Sequence, residues 1–159
     1  KSTDSLAKKL ARKGFPMSVE SIEQNIYDVA GVRVVCAFPE DLYTLADALL
    51  AQDDVVLVER RDYVAKPKPS GYRSLHLIIE TPIFLESEKR LMKVEVQLRT
   101  ISMNFWASLE HQLRYKKNLS DESAAAVGIE LVDLAKDAAT LDLRMQALRN
   151  FLDSTEEAL

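Results

Sequence analysis

The stretch Lys93 to Arg99 reads KVEVQLR, and its alternation decides how the rest of the chain is read. In an extended strand successive side chains point to opposite faces, so Val94, Val96 and Leu98 share one side while Glu95, Gln97 and Arg99 share the other. A strand from Leu91 to Arg99 is expected, with one face in a core and the other polar. The segment ahead of it, Tyr72 to Thr81, repeats the pattern: Tyr72, Ser74 and His76 alternate with Leu75, Leu77 and Ile79. A polar connection through Glu86 and Lys89 joins the two. As neighbours they would gather an acid, an amide, a guanidinium, a phenol and an imidazole on one patch. An amphipathic strand that simply faces water has the same alternation, so the pattern alone leaves both readings open.

Outward from this pair, KPKPSG (Lys66 to Gly71) is a loop because its prolines exclude regular structure. Val55 to Asp62 before it predicts another strand. Pro39 opens a helix, Glu40 and Asp41 suit its N-terminal dipole, and Leu42, Leu45, Ala46, Leu49 and Leu50 recur at helical spacing. DVAGVRVVCAF, Asp28 to Phe38, is apolar and β-branched; it predicts a buried strand entered through a turn or bulge near Gly31. Two helices precede it. One runs from Asp4 to Lys13 and stops at Gly14, with Pro16 beyond; the other is capped by Ser18 and ends near Ile26.

Past the central strands, Thr100 caps a helix with Phe105, Trp106, Leu109 and Leu113, which ends in the cations Arg114, Lys116 and Lys117. From Ser120 or Asp121 onward, Val127, Leu131, Leu134, Ala138, Leu141, Met145, Leu148 and Leu152 form a heptad pattern. It predicts packing against the sheet together with some subunit contact. The fold class is α/β (α+β), a mixed sheet of about four to five strands flanked by helices, with a long C-terminal helical segment.

Composition narrows the function. The chain has 159 residues, 47% of them hydrophobic and 29% charged, enough for one folded domain with a real core. No apolar run approaches the roughly 18 residues of a membrane span, and KSTDSLAKKLARKG at the start lacks the layout of a secretory signal. With no initiator methionine there, the chain is expected to begin partway into its parent. One cysteine, Cys36, is expected in the core and points to a reducing, cytoplasmic setting. The net charge of −4 argues against a general polyanion binder. Locally the balance reverses: Arg60, Arg61, Lys66, Lys68 and Arg73 crowd around one Asp62, and Lys8, Lys9, Arg12 and Lys13 form a second cluster. Such clusters suit a nucleotide polyphosphate, and equally a pair of solvated faces.

Several chemistries drop out. One cysteine and two separated histidines, His76 and His111, make no zinc spacing, and neither histidine is followed by aspartate. Gly14, Gly31, Gly71 and Gly128 build neither GxxxxGK nor GxGxxG, so side-chain cations would have to hold any polyphosphate. Two carboxylates stand out, Asp28 at a strand entrance and Glu95 inside another strand. Magnesium binds through one or two carboxylates plus substrate phosphates, and a glutamate beside it can take a hydroxyl proton. Taken singly, the two acids suit ion pairing as well.

Three blocks in fixed order, DVAGVRVVCAF from Asp28, RDYVAKPKPSGYRSLHL from Arg61 and VEVQLRTISMNFWASLEHQLRYK from Val94, resemble the synthetase domain of the RelA/SpoT family, and most of all its small, single-domain alarmone synthetases. The likeness runs from about Lys1 to Lys117. It implies a synthetase core over residues 1–117, with 118–159 as a helical extension for packing and oligomer contacts. It also implies a nucleotidyltransferase-like sheet and transfer of the β,γ-pyrophosphate of ATP to the 3′-hydroxyl of GDP or GTP, giving ppGpp or pppGpp and AMP in stringent-response signalling.

Carried over position by position, Asp28 and Glu95 match the magnesium pair, and Glu95 the residue that activates the hydroxyl. Lys1, Lys9, Arg33 and Glu110 fall on the ATP side, with Arg33 stacking on adenine. Arg61, Lys68, Tyr72, His76, Gln97 and Asn104 fall on the GDP/GTP side, with Tyr72 stacking on guanine. An aromatic ring and a guanidinium plane both stack well on bases. The chain departs from the family in starting after the position of a second adenine-contacting arginine, and in a longer Ser18 to Tyr27 segment. With no hydrolase domain in the chain, synthesis without degradation is expected. The resemblance further implies a homo-oligomer, a tetramer. Two alternatives use the same fold: a non-catalytic module for alarmone or single-stranded RNA, and a toxin-like tRNA 3′-end pyrophosphokinase.

Overall fold

The computed structural model describes residues 3–114 and 120–156. In chain order it contains α1 (Thr3–Lys13), α2 (Val19–Asn25), β1 (Ala30–Cys36), α3 (Pro39–Leu50), β2 (Val56–Asp62), β3 (Leu75–Phe84), β4 (Lys89–Thr100), α4 (Ile101–Arg114) and α5 (Asp121–Glu156). Local chemistry explains several boundaries. Gly14 ends α1 with φ of +71°, a conformation open to glycine at little cost. Ser18 caps α2 by accepting a hydrogen bond from the Ser21 amide at 3.1 Å. Thr100 does the same for α4, accepting from the Met103 amide at 3.1 Å.

The four strands form a mixed sheet in the order β1-β4-β3-β2. The two amphipathic segments on either side of Glu86 are therefore neighbours. Residues Ser74 to Ile79 are buried without interruption, so β3 does not turn a polar side to water. β3 lies inside the sheet between β4 and β2, and His76 on it is 7% exposed.

Position in the sheet also corrects the reading of Asp28 to Phe38 as a buried strand. β1 lies at the edge, and Val32 and Val35 are 52% and 46% exposed. Its β-branched composition reports strand propensity, not burial. The turn expected near Gly31 falls earlier, at Tyr27 and Asp28, and Gly31 sits inside the strand. Tyr72, expected within a strand, precedes the first residue of β3.

The chain packs as two units. The first comprises Lys1–Val34, Ala46–Arg61 and His76–Gln97. Its core joins Leu6 and Leu10 of α1 to Ile26, with Phe15, Ile22 and Val29 packed around them. The second comprises Val35–Leu45, Asp62–Leu75 and Leu98–Leu159. In it α5 packs on α4 through Trp106, Leu131 and Ala135, and the Trp106 indole donates to the Leu131 carbonyl at 2.8 Å.

The buried face of α5 shares Leu131 with the heptad stripe and departs from it beyond that residue. Leu131, Ala135, Asp142 and Gln146 are buried, while Leu134, Leu141, Met145, Leu148 and Leu152 are exposed. Small and polar side chains win this face because each has a specific partner. A Cβ at Gly71 would meet that of Ala135 at 2.6 Å, Thr100 Oγ1 donates to Asp142 at 2.8 Å, and the Gln146 amide donates to Glu40 at 2.9 Å. Leu134, Leu141 and Met145 border a groove of about 680 Å³ with Phe105 and Leu109 of α4.

Candidate nucleotide site

In the first unit a cavity of about 260 Å³ is bordered by Lys9 and Lys13 of α1, Asp28, Arg61 of β2 and Glu95 of β4, with Tyr27 among its walls. Each arrives there by a local rule. Lys9 and Lys13 lie four residues apart, one turn along the same helix face. Asp28 sits in the turn that feeds β1, and Glu95 projects from the half-buried, polar side of β4. Lys9 Nζ donates to both Asp28 oxygens at 2.7 Å.

Glu95 is held by two neighbours. His76 Nδ1 lies 3.1 Å from one oxygen, and the Gln97 amide donates to the other at 3.1 Å. The His76 hydrogen bond, aided by Gln97, holds the Glu95 carboxyl below its ordinary range. Burial and the nearby charge of Asp28 oppose that shift without reversing it. Glu95 is thus an ionised acceptor at neutral pH. Arg61 forks onto Glu59 at 2.7 and 2.6 Å.

Of the residues expected on the ATP side, Lys9 is in the cavity, and Arg33 lies exposed on the edge strand β1, outside its lining. Lys1 lies outside the described residues. Of those expected around the acceptor, Arg61 lines the cavity, and His76 and Gln97 reach it through Glu95.

The second unit holds Lys68, Tyr72, Asn104 and Glu110. Lys68 Nζ stands 4.6 Å from the centre of the Tyr63 ring and 5.0 Å from that of Tyr72. Tyr63 meets Tyr72 edge-on, with centroids 6.1 Å apart. Arg99 donates to the Tyr72 hydroxyl at 2.7 Å. Asn104 Oδ1 is buried with no hydrogen-bond partner among the described residues, an acceptor whose group gains from a donor supplied from outside. Glu110 is half-buried on α4.

The residues carried over from the family omit Lys13, Tyr27, Tyr63 and Arg99, although Lys13 stood in the second cation cluster and Arg99 in the polar patch of the central strands. Lys13 was signalled by its spacing from Lys9, and Arg99 by sharing a strand face with Glu95 and Gln97. Nothing local marks Tyr63.

The sequence and the fold are similar to those of known proteins. The sequence profile described as "Region found in RelA / SpoT proteins" matches residues 1–120. The chain is 41% identical over 153 residues to the GTP pyrophosphokinase YwaC of Bacillus subtilis (strain 168), covering 96% of this chain and 72% of that protein. Its structure is similar to that of small alarmone synthetase 1 from Bacillus subtilis bound to its product pppGpp, with a TM-score of 0.83 and 36% identity over 96% of this chain and 76% of that one. The same enzyme bound to AMPCPP gives 0.75 and 31% over 96% and 74%. The architecture is that of a synthetase fold. The chain belongs to the RelA/SpoT family.

Proposed function

We propose that the chain is a (p)ppGpp synthetase, a transferase that moves the β,γ-pyrophosphate of ATP to the 3′-hydroxyl of GDP or GTP. The observation that carries this is a cavity bordered by two carboxylates and three cations, Asp28 and Glu95 with Lys9, Lys13 and Arg61, in a chain of this family. Ionised Glu95 accepts the proton of the 3′-hydroxyl. The freed oxygen bonds to the β-phosphorus of ATP, the bond from that phosphorus to the α,β-bridging oxygen breaks, and AMP leaves with the electron pair. Lys9 and Lys13 oppose the charge of the ATP phosphates, and Lys1 is read in the same role. Arg33 stacks on adenine, with Glu110 on the same side. Tyr72 stacks on guanine, Asn104 takes a hydrogen bond from the acceptor nucleotide, and Arg61, Lys68, His76 and Gln97 complete that side. Catalysis is then mainly positioning and electrostatic stabilisation.

The donor set fits magnesium. Asp28 and Glu95 supply hard oxygens and line one cavity, and they are too few to cage an ion without substrate phosphates. Magnesium held by these two residues would supply neutralisation of phosphate charge. No helix among the described residues is long and apolar enough to cross a membrane, and we read the enzyme as cytoplasmic. We also read it as a homo-oligomer, a tetramer. The exposed apolar side chains of Phe105, Leu109, Leu134 and Met145 along one groove support self-association, because contiguous exposed apolar side chains mark interaction surfaces. Sedimentation as a monomer at working concentrations would remove it.

Incubation with ATP, magnesium and GDP or GTP is expected to yield AMP together with guanosine bearing a 3′-pyrophosphate. A folded protein that forms neither product refutes the assignment. Offering tRNA beside GDP with labelled ATP separates this activity from 3′-end modification of RNA.

A further inference from the structure

Tyr72 carries an aromatic ring on a turn that precedes β3, where its carbonyl accepts from the Lys68 amide at 3.1 Å but no strand pairing fixes the side chain. Its ring must be oriented by side chains. Arg99 is well placed to do this, because it lies in β4, is 5% exposed, and is flanked in sequence by Leu98 and Thr100, both fully buried. Thr100 is itself tied to Asp142. From this rigid place the Arg99 guanidinium donates to the Tyr72 hydroxyl at 2.7 Å, with its carbon 5.1 Å from the ring centre. Tyr63 braces the ring edge-on. A donor fixed in a strand, gripping the far end of a ring rooted in irregular backbone, sets the plane of that ring.

We propose that Arg99 is a positioning residue for guanosine-nucleotide binding: it presents the Tyr72 ring in the orientation that stacks on guanine. This rests on the assignment of Tyr72 to the acceptor base. A charged hydrogen bond to a half-buried hydroxyl is strong enough to restrict the ring, and lysine cannot reproduce the planar fork. Ordering the ring before the ligand arrives lowers the cost of binding.

The test measures kcat and the KM of GTP and of ATP separately for the full chain and five variants. Arg99→Met is expected to raise the KM for GTP about tenfold, the order of one lost charged hydrogen bond, while kcat and the KM for ATP stay within about twofold. Tyr72→Phe keeps the ring and loses the hydroxyl, so it should reproduce that effect. The double variant R99M/Y72F should be no worse than either single change, and Arg99→Lys should recover part of the loss. Tyr72→Ala should be worse than all of these. Additive losses in the double variant, or equal rises in both KM values, overturn the proposal. Should Arg99→Met not fold, Tyr72→Phe decides alone, and a wild-type KM for GTP rejects it. A Tyr72→Ala variant with normal GTP binding removes the stacking assignment and the proposal together, whereas a defect there beside a normal Tyr72→Phe removes only the role of Arg99.

Discussion

Lys9 Nζ lies 2.7 Å from both carboxylate oxygens of Asp28, so the ammonium fills the place where a cation would best neutralise that acid. Both side chains are about four-fifths buried, at 22% and 23% exposure. Lys9→Met therefore leaves a carboxylate in a poorly solvated position without its partner. A loss of about 1–3 kcal/mol in unfolding free energy is expected, read from urea denaturation, together with a higher KM for ATP. A stability equal to wild type would show that water replaces the lysine at no cost.

Glu95→Gln is expected to lower turnover by about two to four orders of magnitude, the usual range for loss of a general base, with unchanged circular dichroism. The pH dependence carries a second signature. The Glu95 carboxyl lies below its ordinary value of 4.5 in the folded protein, first through His76. Its contribution to stability is thus complete above that value and is lost as pH falls through the lowered folded value. Glu95→Gln should flatten this part of the acid unfolding curve, lying a constant amount below wild type above about pH 5 and converging with it at lower pH, a limit set at roughly half a unit over the ordinary carboxylate range. A variant that loses stability equally at all pH values would contradict this origin.

Asn104 should show stability and function pulling apart. Its Oδ1 is buried without a partner among the described residues, a state that costs on the order of 1–3 kcal/mol in a folded chain. Asn104→Leu is expected to leave the melting temperature unchanged or raise it, while the KM for GTP rises about tenfold if that oxygen accepts from the nucleotide. A falling melting temperature with normal kinetics would reverse the inference.

Gly71→Ala tests the seat of the Tyr72 segment. Gly71 has φ of +89°, and an added Cβ would stand 2.6 Å from that of Ala135. Strain and overlap together should cost about 2–4 kcal/mol. Adding Ala135→Gly removes the overlap but not the backbone strain, so calorimetry should record partial recovery. Full recovery would mean that φ is not a constraint here.

Much of this was legible locally. The alternation in Lys93 to Arg99 announced β4 and separated Glu95, Gln97 and Arg99 from the core residues between them, because strand geometry repeats every two residues whatever lies nearby. The caps at Ser18 and Thr100 were readable for a similar reason: a cap bonds an amide only three residues away. The blocks around Asp28, Arg61 and Val94 carried enough spacing to point to the family.

Burial was decided elsewhere. Val32 and Ile78 belong to equally apolar segments, yet one lies exposed on an edge and the other in a covered central strand. Beyond Leu131 the heptad leucines of α5 lost the buried face to Ala135, Asp142 and Gln146, whose partners Gly71, Thr100 and Glu40 lie far away in the chain. The contact of Arg99 with Tyr72 crosses 27 positions and that of Lys9 with Asp28 crosses 19. The sequence alone determined what each residue can donate, accept or bury; which partner it met depended on strand order and helix docking, since those contacts join residues that no local period relates.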